Sequence, residues 1–164
     1  MPAITFNADE VFTMAERIEQ NGAKFYRAAA KKFPVHQAML EKLAAMEDGH
    51  YQVFKSMHQQ ITETETELDA ADPEGQMAAL AQDWADGHVF NFKQDPLKLL
   101  AGLKTLLDVL KAAIGLEKDS IVFYLGMKAM VAKAAGQERL DAIIAEEMRH
   151  IALLDGWARE NTNQ

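Results

Sequence analysis

The amino-acid sequence predicts an all-α protein, a four-helix bundle with one long crossover that contains a short helix. Apolar residues recur at helical spacing along four long segments, and the four prolines lie outside the interiors of these segments. The connections between the segments are short, long and short, an order that makes an antiparallel hairpin, a crossover and a second hairpin. The 164 residues suit a single domain, which we place at 1–164.

The first hairpin is predicted from helices at about 9–33 and 35–61. Pro34 separates them, because proline lacks the backbone N–H that a continuing helix uses and its ring clashes with the preceding turn. The second of these helices carries its apolar residues on one face, at Leu40, Leu43, Phe54, Met57 and Ile61. We therefore expect two antiparallel helices joined by a tight turn.

The crossover is predicted at about 62–103. Its first part, residues 62–75, is acidic and rich in turn-forming residues, so we interpret it as an exposed linker. One short helix is expected at about 76–87, followed by irregular chain up to Pro96. A connection of this length also permits two subunits to exchange a hairpin.

The second hairpin is predicted from helices at about 104–135 and 137–160. Gly136 is expected as the C-cap of the third helix, because glycine adopts the left-handed conformation with which many helices end. The fourth helix is followed by a short polar tail.

Composition and charge exclude several classes of function. The chain contains no cysteine, which excludes disulfide scaffolds, thiolate-bound zinc, iron–sulfur clusters and rubredoxin-type iron centres. Its 25 acidic and 17 basic residues give a net charge of -8, so nucleic acid and anionic membranes are not expected partners. The amino terminus lacks the features of a secretory signal, and no apolar run is long enough to span a bilayer. We therefore expect a cytoplasmic protein.

Each long helix carries a glutamate in the middle of its apolar stripe: Glu19, Glu47, Glu117 and Glu147. The second and fourth helices add a histidine three residues later, at His50 and His150. Burying four carboxylates without compensation costs more than the stability of a domain. Two divalent cations balance four negative charges, and neutral imidazoles complete their coordination. These six residues are therefore the predicted ligands of a dinuclear metal site.

The spacing of these residues supports one shared site. Glu19 precedes Phe33 by as many residues as Glu47 follows it, so an antiparallel hairpin brings both glutamates to one level. The second hairpin repeats the pattern, since Glu117 precedes a Phe–Tyr pair by the same interval as Glu19 does. Oxygen and imidazole donors suit iron or manganese, and zinc would bind too.

The sequence resembles the ferritin-like di-iron carboxylate superfamily, and most closely its rubrerythrin-like branch. The branch's signatures for the first and third helices are matched by IEQNGAKFY at 18–26 and LEKDSIVFY at 116–124. Its paired Glu-x-x-His motifs are matched by MEDGH at 46–50 and EEMRH at 146–150. The resemblance implies a ferritin-like bundle that holds two iron ions, with manganese or zinc possible, and a homodimer.

The resemblance also implies a function, an oxidoreductase that reduces hydrogen peroxide or dioxygen at two irons. Rubrerythrins often carry a further glutamate three residues after the third-helix ligand, where this chain has Ser120. They also commonly carry a rubredoxin domain, which this chain lacks, so an external molecule must donate electrons. The alternatives are a ferroxidase or iron-handling protein, a hydroxylase of the same superfamily, and a non-catalytic module stabilised by zinc.

Further residues are candidates for roles around the ligands. Tyr26 and Tyr124 lie two turns beyond the glutamates of their own helices, either as hydrogen-bond partners of a glutamate or as core aromatics. Glu146 resembles the acid that orients the histidine of the opposite helix, here His50, although a solvated glutamate is the alternative. Ser120 lies one turn beyond its ligand and belongs to the surroundings of the site.

Small residues and the remaining charges have simpler interpretations. Gly22 and Ser120 either permit close helix packing or leave room beside the metals for dioxygen or peroxide. Glu16, one turn before Glu19, is expected as an exposed charge on its helix, with a substitute metal ligand as the alternative. The three histidines without a glutamate at metal-ligand spacing are expected at the surface: His36, His58 and His88.

Overall fold

The computed structural model describes residues 8–60, 95–130 and 134–162. Within these ranges the chain forms five α-helices and one short 3-10 helix, and it contains no strand. Four of the helices are long and are arranged as two hairpins, which confirms the predicted all-α class. No helix in the described ranges is both long enough and apolar enough to cross a membrane.

The first hairpin consists of α1, Ala8–Lys32, and α2, Gln37–Gln59. Acidic residues in the first turn of α1 and lysines in its last turn complement the helix dipole. Residues Pro34–His36 form the 3-10 helix that reverses the chain, so α2 begins two residues later than predicted. Both helices otherwise match the prediction as far as the described chain extends.

A short helix, α3, spans Pro96–Gly102 and packs against α1. Asp95 caps its N-terminus by accepting a hydrogen bond from the backbone N–H of Leu97 at 3.1 Å, and proline occupies the first helical position. Lys32 of α1 donates to the carbonyl of Leu100 at 3.1 Å, near the end of α3. The sequence prediction includes these residues in the crossover without a helix, whereas its short helix at 76–87 lies outside the described residues.

The second hairpin consists of α4, Leu106–Met130, and α5, Ala134–Thr162. Thr105 and Asp108 begin α4 with a reciprocal capping pair, each side chain accepting from the other's backbone N–H at 3.1 and 3.0 Å. This pair places the start of α4 two residues after the predicted one. The prediction that Gly136 ends the third helix is wrong, because Gly136 lies in the first turn of α5. Glycine is tolerated there, since first-turn N–H groups have no intrahelical partner.

Two apolar clusters fill the interior of the bundle, and each takes residues from all four long helices. One contains Phe12, Phe54, Tyr124 and Leu140, among others. The other contains Tyr26, Leu40, Leu110 and Leu154, among others. Between them, the described part of the chain buries seven polar residues: Glu19, Glu47, His50, Glu117, Ser120, Glu147 and His150.

Candidate metal centre

The six residues predicted as metal ligands lie together at the centre of the bundle. Every long helix contributes, because the apolar residues on either side of each glutamate turn the glutamate toward the core. All six side chains are buried, and three are fully inaccessible: Glu19, Glu147 and His150. Glu19 and Glu47 therefore lie at one level of the first hairpin, as their equal distances in sequence from Phe33 predict.

The six residues form two overlapping donor sets, each with its ligand atoms within 4.8 Å of one another. Set A contains Glu19, Glu47, His50 and Glu147. Set B contains Glu47, Glu117, Glu147 and His150. Glu47 and Glu147 belong to both sets, whereas each remaining glutamate and histidine belongs to one. The geometry thus identifies the two glutamates that both donor sets share.

Both imidazole rings present Nδ1 to the cluster. His50 Nδ1 lies 3.0 Å from Glu147 Oε1 and 3.4 Å from Glu19 Oε2. His150 Nδ1 lies 2.9 Å from Glu147 Oε2 and 3.4 Å from Glu47 Oε1. The two oxygens of Glu147 therefore each face one histidine, which is the arrangement expected of a carboxylate that joins two ions.

Seven buried side-chain atoms of the cluster have no hydrogen-bond partner in the described chain: Glu19 Oε2, Glu47 Oε1, His50 Nδ1, both carboxylate oxygens of Glu147, and His150 Nδ1 and Nε2. Buried polar atoms are almost always hydrogen-bonded, since leaving one unpaired costs about 1–3 kcal/mol. All of them except His150 Nε2 face the interior of the two donor sets, as atoms that coordinate cations would. The donor chemistry fits two divalent ions, four carboxylates and two imidazoles without sulfur.

Burial and mutual repulsion make the carboxylates poor anions by themselves. Burial is the largest cause that raises the pKa of Glu19 and Glu47, and it also raises the pKa of Glu117, to about 8. Glu147 is the exception: burial raises its pKa, but the adjacent imidazole of His150 and that of His50 outweigh burial and lower it to about 2. The cluster therefore favours added positive charge at its centre.

The two imidazoles supply that charge when they are protonated. Burial lowers the pKa of His50, but the carboxylates of Glu147 and Glu19 outweigh it and raise the pKa to about 11. For His150, the carboxylates of Glu117, Glu147 and Glu47 overcome burial in the same way and raise the pKa to about 12. Protons and metal ions thus compete for the same nitrogen atoms.

Two tyrosines connect the hairpins at the site. Tyr26 of α1 donates a hydrogen bond to Glu117 of α4, and Tyr124 of α4 donates one to Glu19 of α1. Burial and the facing carboxylates raise the pKa of both hydroxyls well above the ordinary value, so both remain donors. Of the two roles that the sequence leaves open, the hydrogen-bonding role is the one that the structure supports.

The histidines differ in their outer contacts. His50 Nε2 lies 2.7 Å from Glu146 Oε2, as the sequence predicts, and donates to that carboxylate while Nδ1 faces the cluster. His150 Nε2 has no hydrogen-bond partner in the described chain. The residue that precedes Glu47 as Glu146 precedes Glu147 is Met46, which cannot accept such a bond strongly. The two donor sets therefore contain the same types of ligand, but only the histidine of set A is oriented by an outer hydrogen bond within the described chain.

His58, which is expected at the surface, lies in a partly buried cluster with Glu16 and Asp9. His58 is 22% exposed, with Nδ1 2.7 Å from Glu16 Oε1 and Nε2 2.8 Å from Asp9 Oδ1, and its ring stacks on Phe12. The expectation that Glu16 is an exposed charge is therefore wrong, whereas His58 does lie at the surface, although partly buried. The sequence could have predicted this contact. Asp9 precedes Phe33 by nearly as many residues as His58 follows it, so an antiparallel hairpin brings the two side chains to one level.

Comparison with known proteins agrees with this geometry. The model of the rubrerythrin family matches residues 10–158, a range that contains all six cluster residues. A solved structure from Thermotoga maritima, described as that of a candidate ferritin-like diiron-carboxylate protein, matches with a TM-score of 0.75 at 25% sequence identity. That match covers 95% of this chain and 97% of the other. Comparison with curated proteins gives no significant match.

Proposed function

Because the chain belongs to the rubrerythrin family, we propose that it is a di-iron oxidoreductase that reduces hydrogen peroxide or dioxygen. One observation carries the proposal: two buried donor sets share Glu47 and Glu147, so two ions can lie side by side. A pair of iron ions delivers two electrons together, the number that hydrogen peroxide needs to become water.

In this proposal Glu47 and Glu147 would serve both ions. Glu19 and His50 would complete one donor set, and Glu117 and His150 would complete the other. Iron is the proposed metal because mixed carboxylate and imidazole donors suit it, although manganese and zinc accept the same donors. When bound, two ferrous ions supply two electrons, so that hydrogen peroxide and two protons become two water molecules while both irons become ferric.

The protein's own groups prepare this chemistry by holding the ligands in place. Tyr26 holds one oxygen of Glu117, and Tyr124 holds one oxygen of Glu19. Glu146 orients the ring of His50 through a hydrogen bond. The apolar clusters on both sides bury the ligand side chains away from bulk solvent. We propose that an external molecule returns the electrons.

The test starts from metal analysis of the purified protein. Ferrous iron is added without oxygen, followed by hydrogen peroxide or air, while the near-ultraviolet charge-transfer absorption of ferric iron is recorded. We expect this absorption to saturate at two irons per chain, to disappear in Glu117→Ala, and to persist in Glu138→Ala, a matched change at an exposed position of α5.

The alternatives give different results in the same experiment. One iron or fewer per chain without the absorption band contradicts the redox proposal and favours a zinc-stabilised module. Oxidation of many equivalents of ferrous iron, with the product retained as a mineral, favours an iron-handling protein. A faster reaction with peroxide than with dioxygen supports the peroxidase form of the proposal.

A further inference from the structure

A cavity of about 30 Å³ lies between α1, α3 and α4, directly beside the cluster. Its wall includes carboxylates of Glu47 and Glu117 and the small residues Gly22 and Ser120. Gly22 and Ser120 occupy equivalent positions, each three residues after the cluster glutamate of its helix. The space therefore exists because both helices have a small residue one turn beyond the cluster.

Gly22 and Ser120 keep the space beside the cluster carboxylates free of side-chain atoms. A Cβ atom on Gly22 would lie 3.0 Å from Oε2 of Glu47, closer than such atoms normally approach. The hydroxyl of Ser120 donates to the carbonyl of Leu116 at 3.0 Å, so this side chain is folded back onto its own helix. Both residues leave the space next to the carboxylates open.

The outer wall of the cavity comes from α3, the helix that the sequence prediction does not include. Pro96 and Leu99 line the cavity together with Leu116 of α4 and Ile18 of α1. This part of the wall is apolar and bulky, whereas the rest of the lining contains the two glutamates, Gly22 and the polar residues Asn21, Tyr26 and Ser120. A molecule in the cavity thus has one face toward the cluster and the other against hydrocarbon.

The cavity adjoins only one side of the cluster. Its lining includes Glu117, which belongs to set B alone, and Glu47, which both sets share, but neither Glu19 nor His50, which belong to set A alone. Set B is also the one whose histidine, His150, has no outer hydrogen-bond partner in the described chain. Set B therefore has both the space for an added ligand and the histidine that lacks an outer hydrogen bond.

We propose that this cavity binds the oxidant of the proposed function, next to the metal position of set B, and that its size selects hydrogen peroxide or dioxygen over organic hydroperoxides. A water-sized atom needs roughly 10–15 Å³ of space, so the cavity accommodates two to three such atoms. Hydrogen peroxide and dioxygen have two heavy atoms, whereas tert-butyl hydroperoxide is three times that size and meets Leu99 and Pro96. The inference rests on the proposed function for the identity of the oxidant.

Azide binding to the diferric protein tests the cavity without turnover. Ser120→Leu fills the space from α4, so we expect the azide dissociation constant to rise about tenfold or more, the usual effect of steric exclusion by added methylenes. Zinc content, measured separately, is expected to stay at two ions per chain. An unchanged azide dissociation constant in a variant that folds and holds two ions overturns the proposal.

A second variant enlarges the cavity from a residue outside the cluster. Leu99→Ala is expected to increase the rate of iron oxidation by tert-butyl hydroperoxide relative to hydrogen peroxide by about tenfold. Leu97→Ala is the matched control, since Leu97 lies on the same short helix, is exposed and does not line the cavity. If both variants give the same ratio of rates as the unmodified protein, the size selection is wrong, whether or not Ser120→Leu folds.

Failure of the proposed function is recognised separately. If the protein holds two irons but neither oxidant reacts, the oxidoreductase proposal fails, while azide binding still reports whether the cavity reaches the iron. If hydrogen peroxide reacts rapidly and azide affinity is the same in Ser120→Leu, the function stands and the cavity proposal falls.

Discussion

Tyr26 in α1 donates a hydrogen bond to Glu117 in α4, so a residue of the first hairpin supports a carboxylate of the second. Tyr124 and Glu19 repeat this contact in the opposite direction. The two bonds cross between the hairpins and connect the apolar clusters to the ligands. Their removal affects the metal positions without removing any ligand atom.

Replacement of Tyr26 by phenylalanine leaves a buried oxygen of Glu117 without its donor. We expect the affinity for one of two cobalt(II) ions to fall about 10- to 100-fold, the usual effect of losing a partner of a metal ligand. The measurement is a spectroscopic cobalt titration. Tyr51→Phe is the control, because Tyr51 is partly exposed and lies outside the cluster. Equal affinities in both variants would contradict the supporting role.

The sharing of Glu147 between the donor sets predicts unequal losses of metal. Glu147→Ala is expected to reduce bound zinc from two ions per chain to none, because both positions lose a ligand. Glu19→Ala is expected to retain one ion, since only set A contains Glu19. Metal content after dialysis measures the difference, with Glu160→Ala as an exposed control. Identical losses in the two cluster variants would refute the assignment of the bridge.

Glu146→Gln tests the outer support of His50. The change removes the negative charge that Nε2–H faces at 2.7 Å, so the imidazole becomes a weaker ligand. We expect the tighter of two zinc affinities to fall about 10- to 100-fold, with two ions still bound at saturation. Isothermal titration calorimetry resolves the two steps. An unaltered first step shows that Glu146 acts only as a surface charge.

Metal binding is expected to release protons. His50 and His150 have pKa values of about 11 and about 12 beside the carboxylates, so both are protonated at pH 7 and must lose these protons to coordinate. Zinc affinity should therefore weaken as pH falls. Calorimetry in buffers with different ionisation enthalpies should report at least two protons per two ions, one from each imidazole. A binding enthalpy independent of the buffer would exclude this competition.

His58 predicts a pH-dependent difference in thermal stability. Burial lowers its pKa, but Glu16 and Asp9 outweigh burial and raise it. A raised folded-state pKa stabilises the folded state fully below the unfolded value of about 6.5, and the effect disappears as pH rises through the folded value.

His58→Gln should therefore lower the Tm at pH 6 by about 1–3 °C, because partly exposed ion pairs contribute little, and by less at pH 9. His36→Gln is the control, since no ion pair involving His36 is seen in the described chain. Differential scanning fluorimetry of zinc-loaded proteins measures both. A difference that grows with pH would reverse the predicted sign.

The sequence was sufficient to predict the cluster because each of its residues interrupts an apolar stripe. A carboxylate among core positions needs compensation, and four at one level indicate a common one. The class of fold followed from the lengths of the connections. The resemblance to rubrerythrins, carried by the blocks around Glu19 and Glu117, is confirmed by the family match.

Other features depend on contacts that no local pattern encodes. The short helix α3 has a readable start at Asp95 and Pro96, but its position against α1 depends on Lys32 and on packing. The position of Glu147 between the two histidines depends on how α5 is rotated toward His50 of α2, which the spacing of residues along one helix does not define. The cavity wall at Leu99 depends on how α3 packs against α1. Tertiary geometry is therefore needed to tell equivalent positions apart.

Each hairpin supplies the same set of donors, two carboxylates and one imidazole, and neither can complete a metal position by itself. The helices within a hairpin pack more extensively than the hairpins pack against each other. Bound ions would therefore cross-link the two hairpins, in addition to the apolar clusters that all four long helices share. Chelation should lower the stability of the bundle, because metal binding adds its free energy to the folded state.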